Sequence, residues 1–165
     1  YPFYSQLNYM HAMEIYNGPF ENNSHVYDDM LLLGRDIYCI GGDDSHSVDT
    51  SGHSWTMIKA AALDYRTVTK ALMDGHFYAS QGPEIFDLYV EDGMMHVTTS
   101  DAQEIHFVTA ARAEEGKSVA AKEGQFLNEA SFKILPESVY VRVVVVGPNG
   151  KTASTNAFAT YDLLH

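Results

Sequence analysis

The stretch "DIYCIGGDDSHSVD", Asp36 to Asp49, decides how the chain is read. Its opening, Asp36 to Ile40, is a short run apolar on both alternating sides, the pattern of a strand in a parallel sheet covered on both faces. The run breaks into Gly41 and Gly42, which let a backbone turn tightly, and then into Asp43, Asp44 and His46. Side chains alternate in extended backbone, so Asp44 and His46 are expected on the same side. Loops at the carboxyl ends of strands are where α/β folds collect their chemistry. Carboxylate oxygen with imidazole nitrogen suits divalent zinc, manganese or iron. The same letters also spell a solvated acidic turn, because Asp, Gly and Ser are ordinary turn formers.

Upstream, Asn23 or Ser24 caps a predicted helix with Val26, Met30 and Leu33 on one face and Gly34 just past its end. Downstream, "SWTMIKAAAL" (54–63) reads as a short helix. "DYRTVTKALMDG" (64–75) reads as a second one, with Asp64 as N-cap, Val68, Ala71 and Leu72 on its buried face and Gly75 beyond its end. From Glu84 the period becomes two. "IFDLYVEDGMMHVTTS" places Phe86, Leu88 and Val90 on one face, turns at Asp92-Gly93 and returns. Short runs follow at "EIHFVTAA", "KSVAA", "ASFKIL", "VYVRVVVVG" and "TASTNAFATY". Within "VYVRVVVV", Val139, Val141, Val143 and Val145 are expected inward, with Tyr140 and Arg142 outward. The expected organisation is α/β over residues 1–83, followed by an all-β, immunoglobulin-like β-sandwich over residues 84–165.

The totals bound the function. Lys and Arg number 10 against 22 Asp and Glu, a net charge of −12, so bulk electrostatics draw this surface to neither nucleic acid nor an anionic membrane. A single cysteine, Cys39, allows no intrachain disulfide and, inside a buried strand, reads as core. No apolar run reaches the roughly 18 residues of a membrane span. The first residues do not resemble a signal peptide. Because the chain opens on Tyr1 rather than Met, it is read as a soluble portion following residues not included in it, with its compartment open.

"YCIGGDDSHSVD…SGHSWTMIKAAALDYRTVTKALMDGHFYASQGPEI" resembles the C-terminal part of metal-dependent phosphoesterases of the polymerase-and-histidinol-phosphatase (PHP) superfamily. The resemblance rests on a strand ending in Asp-x-His, a Trp-containing segment, and a helix leading into Gly75, Phe77, Tyr78, Ala79, Ser80, Gly82 and Pro83. "MEIYNG" (Met13 to Gly18) is similar to that family's Glu-x-x-Asn strand, and "GKTASTNAF" to the close of its appended sandwich. The resemblance implies the C-terminal portion of a distorted (β/α) barrel, whose strand ends collect ligands around divalent metals. Asp44 and His46 match the final ligand pair. Asp43 would orient a ligand or hold water, and Glu14 and Asn17 would either line the pocket or brace its loops.

Departures from the family pattern are equally specific. No His-x-His occurs, and Tyr1 of "YPFYS" stands where that family has a metal-binding His. A catalytic zinc site needs about three protein ligands plus water, and two can be named. The 83 residues are also about a third of the roughly 250 of a full barrel. The expectation is therefore a hydrolase fragment or degenerate descendant, acting on a small phosphoester only when complete, and self-associating or pairing with its missing half. The alternative is a non-catalytic β-sandwich binding or assembly module carrying a PHP remnant.

Among other residues, His53 in "SGHSW" is the best further pocket histidine, ahead of His25 and His76. His11, His96, His106 and His165 are discounted, and nothing pairs a Ser with a general base. "ENNSH" holds the sequon Asn22-Asn23-Ser24, relevant only to a secreted protein. The stretch Asp43 to Asp49 lacks the EF-hand calcium spacing.

Overall fold

The computed structural model describes all residues except 1, 2, 4, 5, 20 and 111–117. The chain divides into two units, Tyr1–Gln81 and Gly82–His165.

In the first unit, β1 (Ala12–Asn17) pairs antiparallel with β2 (Glu21–Asn22). It also pairs parallel with β3 (Tyr38–Gly42), after the chain has passed through α1 (Ser24–Leu32). This is a right-sized crossover for two parallel neighbours. Its core is Ile15 and Tyr16 of β1, Cys39 of β3, and Val26, Tyr27 and Met30 of α1, all buried. Tyr27 anchors the helix to the strand by donating its hydroxyl to the Ile37 carbonyl at 3.0 Å. The helix ends as its glycine predicts: Gly34 has φ +75°, its N–H reaches the Leu31 carbonyl, and the Arg35 N–H reaches Met30. Leu33 lies just beyond the last helical residue and is exposed, not part of the buried face.

The segment expected to be a helix at 54–63 is instead β4 (Trp55–Ile58), paired antiparallel with β5 (Phe77–Ser80). Trp, Thr, Met and Ile suit a pleated, half-buried surface, and tertiary pairing overrides the helix propensity of the alanines that follow. Between these strands lies α2 (Tyr65–Met73). Asp64 caps it by accepting from the Thr67 N–H at 3.0 Å; of the expected buried face Ala71 is buried, while Val68 and Leu72 are half-buried.

The second unit is antiparallel. β6 (Ile85–Glu91), β7 (Met94–Ala102) and β10 (Leu127–Lys133) form one sheet in the order β10-β7-β6. A second sheet contains β8 (Glu104–Thr109), β9 (Ser118–Ala120), β11 (Tyr140–Val146) and β12 (Thr152–Thr155), in the order β12-β11-β8-β9. β13 (Phe158–Ala159) lies on β11, and α3 (Thr160–Leu164) follows it. Phe107 of one sheet stacks on Phe132 of the other, with ring centroids 5.2 Å apart, and Met95, Val97, Ile105, Val141, Val143 and Val145 complete the buried layer.

The expected architecture is thereby corrected. Strand accounts for 43% and helix for 20% of the described residues, which is a mostly β protein, and no barrel closes among them. The parallel β1–β3 pairing does not continue around a (β/α) barrel, because its sheet ends at β2-β1-β3 and β4 and β5 pair antiparallel with each other. Two sequence assignments inside the second unit also change. Phe86 is 63% exposed, because β6 takes two steps from Ile85 to Asp87 while β7 takes one, from Thr99 to Thr98. The extra residue of this bulge is turned out. Tyr140 and Arg142 are buried, whereas Val139 sits before β11 at φ +63° and is exposed. No helix among the described residues is long and apolar enough to cross a membrane.

Candidate functional site

The loop after β3 is built by polar side chains that take over where sheet pairing ends. Thr56 on β4 uses one hydroxyl twice, accepting from the Gly41 N–H at 3.1 Å and donating to the Gly41 carbonyl at 2.8 Å. Buried Ser54 donates to the Gly42 carbonyl at 2.7 Å. The close approach to β4 requires a glycine at position 41, whereas position 42 faces only the end of the Glu14 side chain. A Cβ on Gly41 would lie 2.8 Å from the Trp55 carbonyl oxygen, and one on Gly42 would lie 2.9 Å from Glu14 Oε1.

Asp43 is the organiser of this corner. Its carboxylate accepts from the backbone N–H groups of His53 and Ser54, each at 2.8 Å, and from that of Gly52. These bonds, Ser54 first and Gly52 next, hold its pKa below the ordinary carboxylate value, against an opposing contribution from desolvation. Asp43 thus ties the end of β3 to the start of β4 and is spent on the loop.

Asp44 and His46 do not leave an extended strand. β3 stops at Gly42 and Asp44 takes φ +47°, a left-handed conformation that Asp tolerates better than most residues. The turn folds the His46 ring back so that Nδ1 lies 2.7 Å from the Asp44 carbonyl oxygen. A carbonyl only accepts, so Nδ1 carries the proton in this bond and Nε2 of the neutral ring presents a lone pair. Both side chains are exposed. Behind them a hydroxyl web fixes the loop: Ser45 bonds the Ser47 carbonyl and Ser51 Oγ, and Ser47 and Thr50 form a capping box around a short 3₁₀ turn at Val48–Thr50.

Glu14 and Asn17 stand at the neighbouring end of β1. Asn17 Nδ2 donates to Glu14 Oε2 at 2.9 Å, and Asn17 is in register with Gly42. His53 is half-buried and directs Nε2 to the Asp49 carbonyl at 2.9 Å, which closes the loop from the other side. Tyr1, expected from the resemblance to stand at a ligand position, lies outside the described residues. Among the described residues, no three or more His, Cys, Asp or Glu side chains gather closely enough to hold a metal ion.

The remaining histidines of this unit are scaffold or surface. His11 packs edge-on against Tyr38 and reaches the Leu72 carbonyl, while His25 and His76 are exposed. In the second unit, two serines do meet histidines. Ser118 Oγ lies 2.9 Å from His106 Nδ1, whose Nε2 is 3.0 Å from Glu104. Ser131 Oγ lies 2.8 Å from His96 Nδ1, and the His96 ring stacks on Tyr89. The alternation of "EIH" places Glu104 and His106 on one face, but the serines come from the register of partner strands, which is invisible in one sequence. Each row is a cross-strand polar pairing of the kind that faces solvent on an antiparallel sheet.

The chain matches no protein-family model, no curated protein and no solved structure.

Proposed function

We propose that the loop after β3 supplies two ligands, the Asp44 carboxylate and His46 Nε2, to a divalent metal in a PHP-type phosphoester-hydrolysing site. The observation that carries this reading is the His46 Nδ1 contact with the Asp44 carbonyl. Metal-binding histidines are characteristically oriented in this way, by a hydrogen bond from the second ring nitrogen to a carbonyl or carboxylate. The donor set, one carboxylate and one imidazole, fits zinc, manganese or iron. It fits as part of a shell, since two ligands fall short of the three a catalytic site uses, so the others come from beyond the described residues or from a second chain.

A divalent ion at such a site supplies Lewis acidity toward phosphoryl oxygens and lowers the pKa of water. The chain's own residues have a preparatory role. Asp43 fixes the loop by its three backbone N–H bonds, Gly41 lets β3 lie against the backbone of β4, and Asn17 orients Glu14 beside Gly42. By itself the chain is expected to hydrolyse phosphoesters slowly or not at all.

Equilibrium dialysis of the 165-residue chain against zinc, beside an Asp44→Ala/His46→Ala double variant, tests the assignment. The variant is expected to bind about tenfold more weakly or worse, the loss typical of a disturbed metal site. Equal binding by the two proteins would reduce the loop to scaffold. The function would then lie in the second unit as a non-catalytic binding module.

A further inference from the structure

A cleft of about 560 Å³ opens on the Gly82–His165 unit, within the size range of small-molecule sites. Phe86, Ser100, Asp101, Asn128, Pro148 and Asn149 are among its lining. It shares no residue with the loop after β3, so a ligand in the cleft neither requires nor supports a metal in that loop.

Phe86 is the first informative feature. The bulge in β6 turns its ring out of the sheet face where simple alternation would bury it, leaving it 63% exposed beside the cleft. Bulges re-aim side chains in this way near binding sites. The second feature is the polar set around the ring. Asn128 Nδ2 donates to Asp101 Oδ1 at 2.9 Å, which leaves Asn128 Oδ1 and Asp101 Oδ2 as acceptors without partners among the described residues. Asn149 Oδ1 accepts from the Lys151 N–H at 3.1 Å, which assigns the amide and leaves Nδ2 as a donor. Ser100 Oγ accepts from the Glu84 N–H at 3.0 Å and keeps its own proton to donate.

A flat aromatic ring lining the same cleft as these donors and acceptors suits a ligand that is apolar on one face and hydroxylated around its rim. Pyranose rings have this character, because their axial C–H groups form an apolar face while each hydroxyl both donates and accepts. Charge argues in the same direction. The named lining residues carry one carboxylate and no cation, on a chain of net charge −12, which disfavours phosphate, sulfate and nucleic acid. We propose that this cleft binds a neutral saccharide chain, with Phe86 stacking on a sugar ring and Asp101, Asn128 and Asn149 reading its hydroxyls.

Isothermal titration of the 165-residue chain with cellohexaose, maltohexaose and mannohexaose is the direct test. At least one hexasaccharide is expected to bind. Phe86→Ala should weaken it about tenfold or more, and Phe86→Trp should retain it. Asn128→Ala, which leaves the ring in place, is expected to weaken binding to a smaller extent and provides a second variant if Phe86→Ala fails to fold. Parent-like circular dichroism shows that each variant is folded. The proposal is overturned if no hexasaccharide binds, if folded Phe86→Ala binds as well as the parent, or if a heparin hexasaccharide or proline-rich peptide displaces the bound sugar.

Discussion

The loop after β3 and the sheets of the second unit are held together by opposite means. In the loop, polar side chains satisfy the backbone: Asp43 accepts three N–H groups, while Thr56 and Ser54 serve the two glycines. In the sheets, backbone serves backbone, and the side chains contribute apolar burial through Phe107, Phe132 and the valines of β11. Chemistry can be placed in the first kind of structure because its shape does not depend on filling a core. Asp44 and His46 stay exposed there, held by the backbone rather than by packing. In the second kind, interior positions are committed to packing, and binding groups must be added outside, as at the Phe86 bulge.

This contrast predicts a descending series of effects. Truncating a shared core ring should be the most damaging: Phe107→Ala is expected to cost about 3–5 kcal/mol in urea unfolding, by lost burial plus the cavity left. A cost under about 1 kcal/mol would mean that the two sheets do not depend on that stack. Gly41→Ala should come next, at about 1–3 kcal/mol, because its Cβ would meet the backbone oxygen of Trp55. Gly42→Ala offers the sharper comparison. Its Cβ would meet only the end of the flexible, exposed Glu14 side chain, so a change within about 0.5 kcal/mol is expected. Equal costs for the two glycines would contradict the claim that β3 and β4 are in backbone contact.

The smallest expected effect is local and depends on pH. Hydrogen bonds hold the Asp43 pKa below its ordinary value of 3.8, so the unfolded chain takes up its proton first as pH falls. The contribution of Asp43 is therefore fully present above the ordinary value and is lost as pH drops through the lower, folded one. Amide exchange at Gly52, His53 and Ser54 should remain protected at pH 5 and open only in more acidic solution. In Asp43→Ala the same amides should be unprotected at every pH. Protection that survives the substitution would assign the loop's order to the Ser45–Ser51 hydroxyl web instead.

Individual elements were legible in the sequence wherever a local signal agreed with the tertiary environment, but the expected α/β barrel architecture was not borne out. Asp64 and Gly34 mark helix ends through their own hydrogen bonding and backbone freedom, and Asp92-Gly93 marks its hairpin in the same way. β4 was not legible, since its partner β5 is about twenty residues away in sequence and the alanines after it imitate a helix. Alternation also failed at β11. From Tyr140 to Val143 every residue is buried, so a period of two carries no information about sides. Arg142 is accommodated there partly by donating to Ser154 Oγ at 2.8 Å, a bond between strands that one sequence does not reveal. At the candidate site, the residue types Asp44 and His46 were readable. Their geometry was not, because it comes from a left-handed turn rather than from an extended strand.

Whether Asp44 and His46 hold a divalent ion is decided by a manganese titration of the isotope-labelled chain monitored by nuclear magnetic resonance, since the paramagnetic ion broadens resonances near its binding site. Early broadening is expected at Asp44 and His46, spreading to Gly42 and Asp43 and disappearing in the Asp44→Ala/His46→Ala variant. Broadening centred elsewhere, for example on Glu104 and His106, or unchanged in the variant, would contradict the metal assignment.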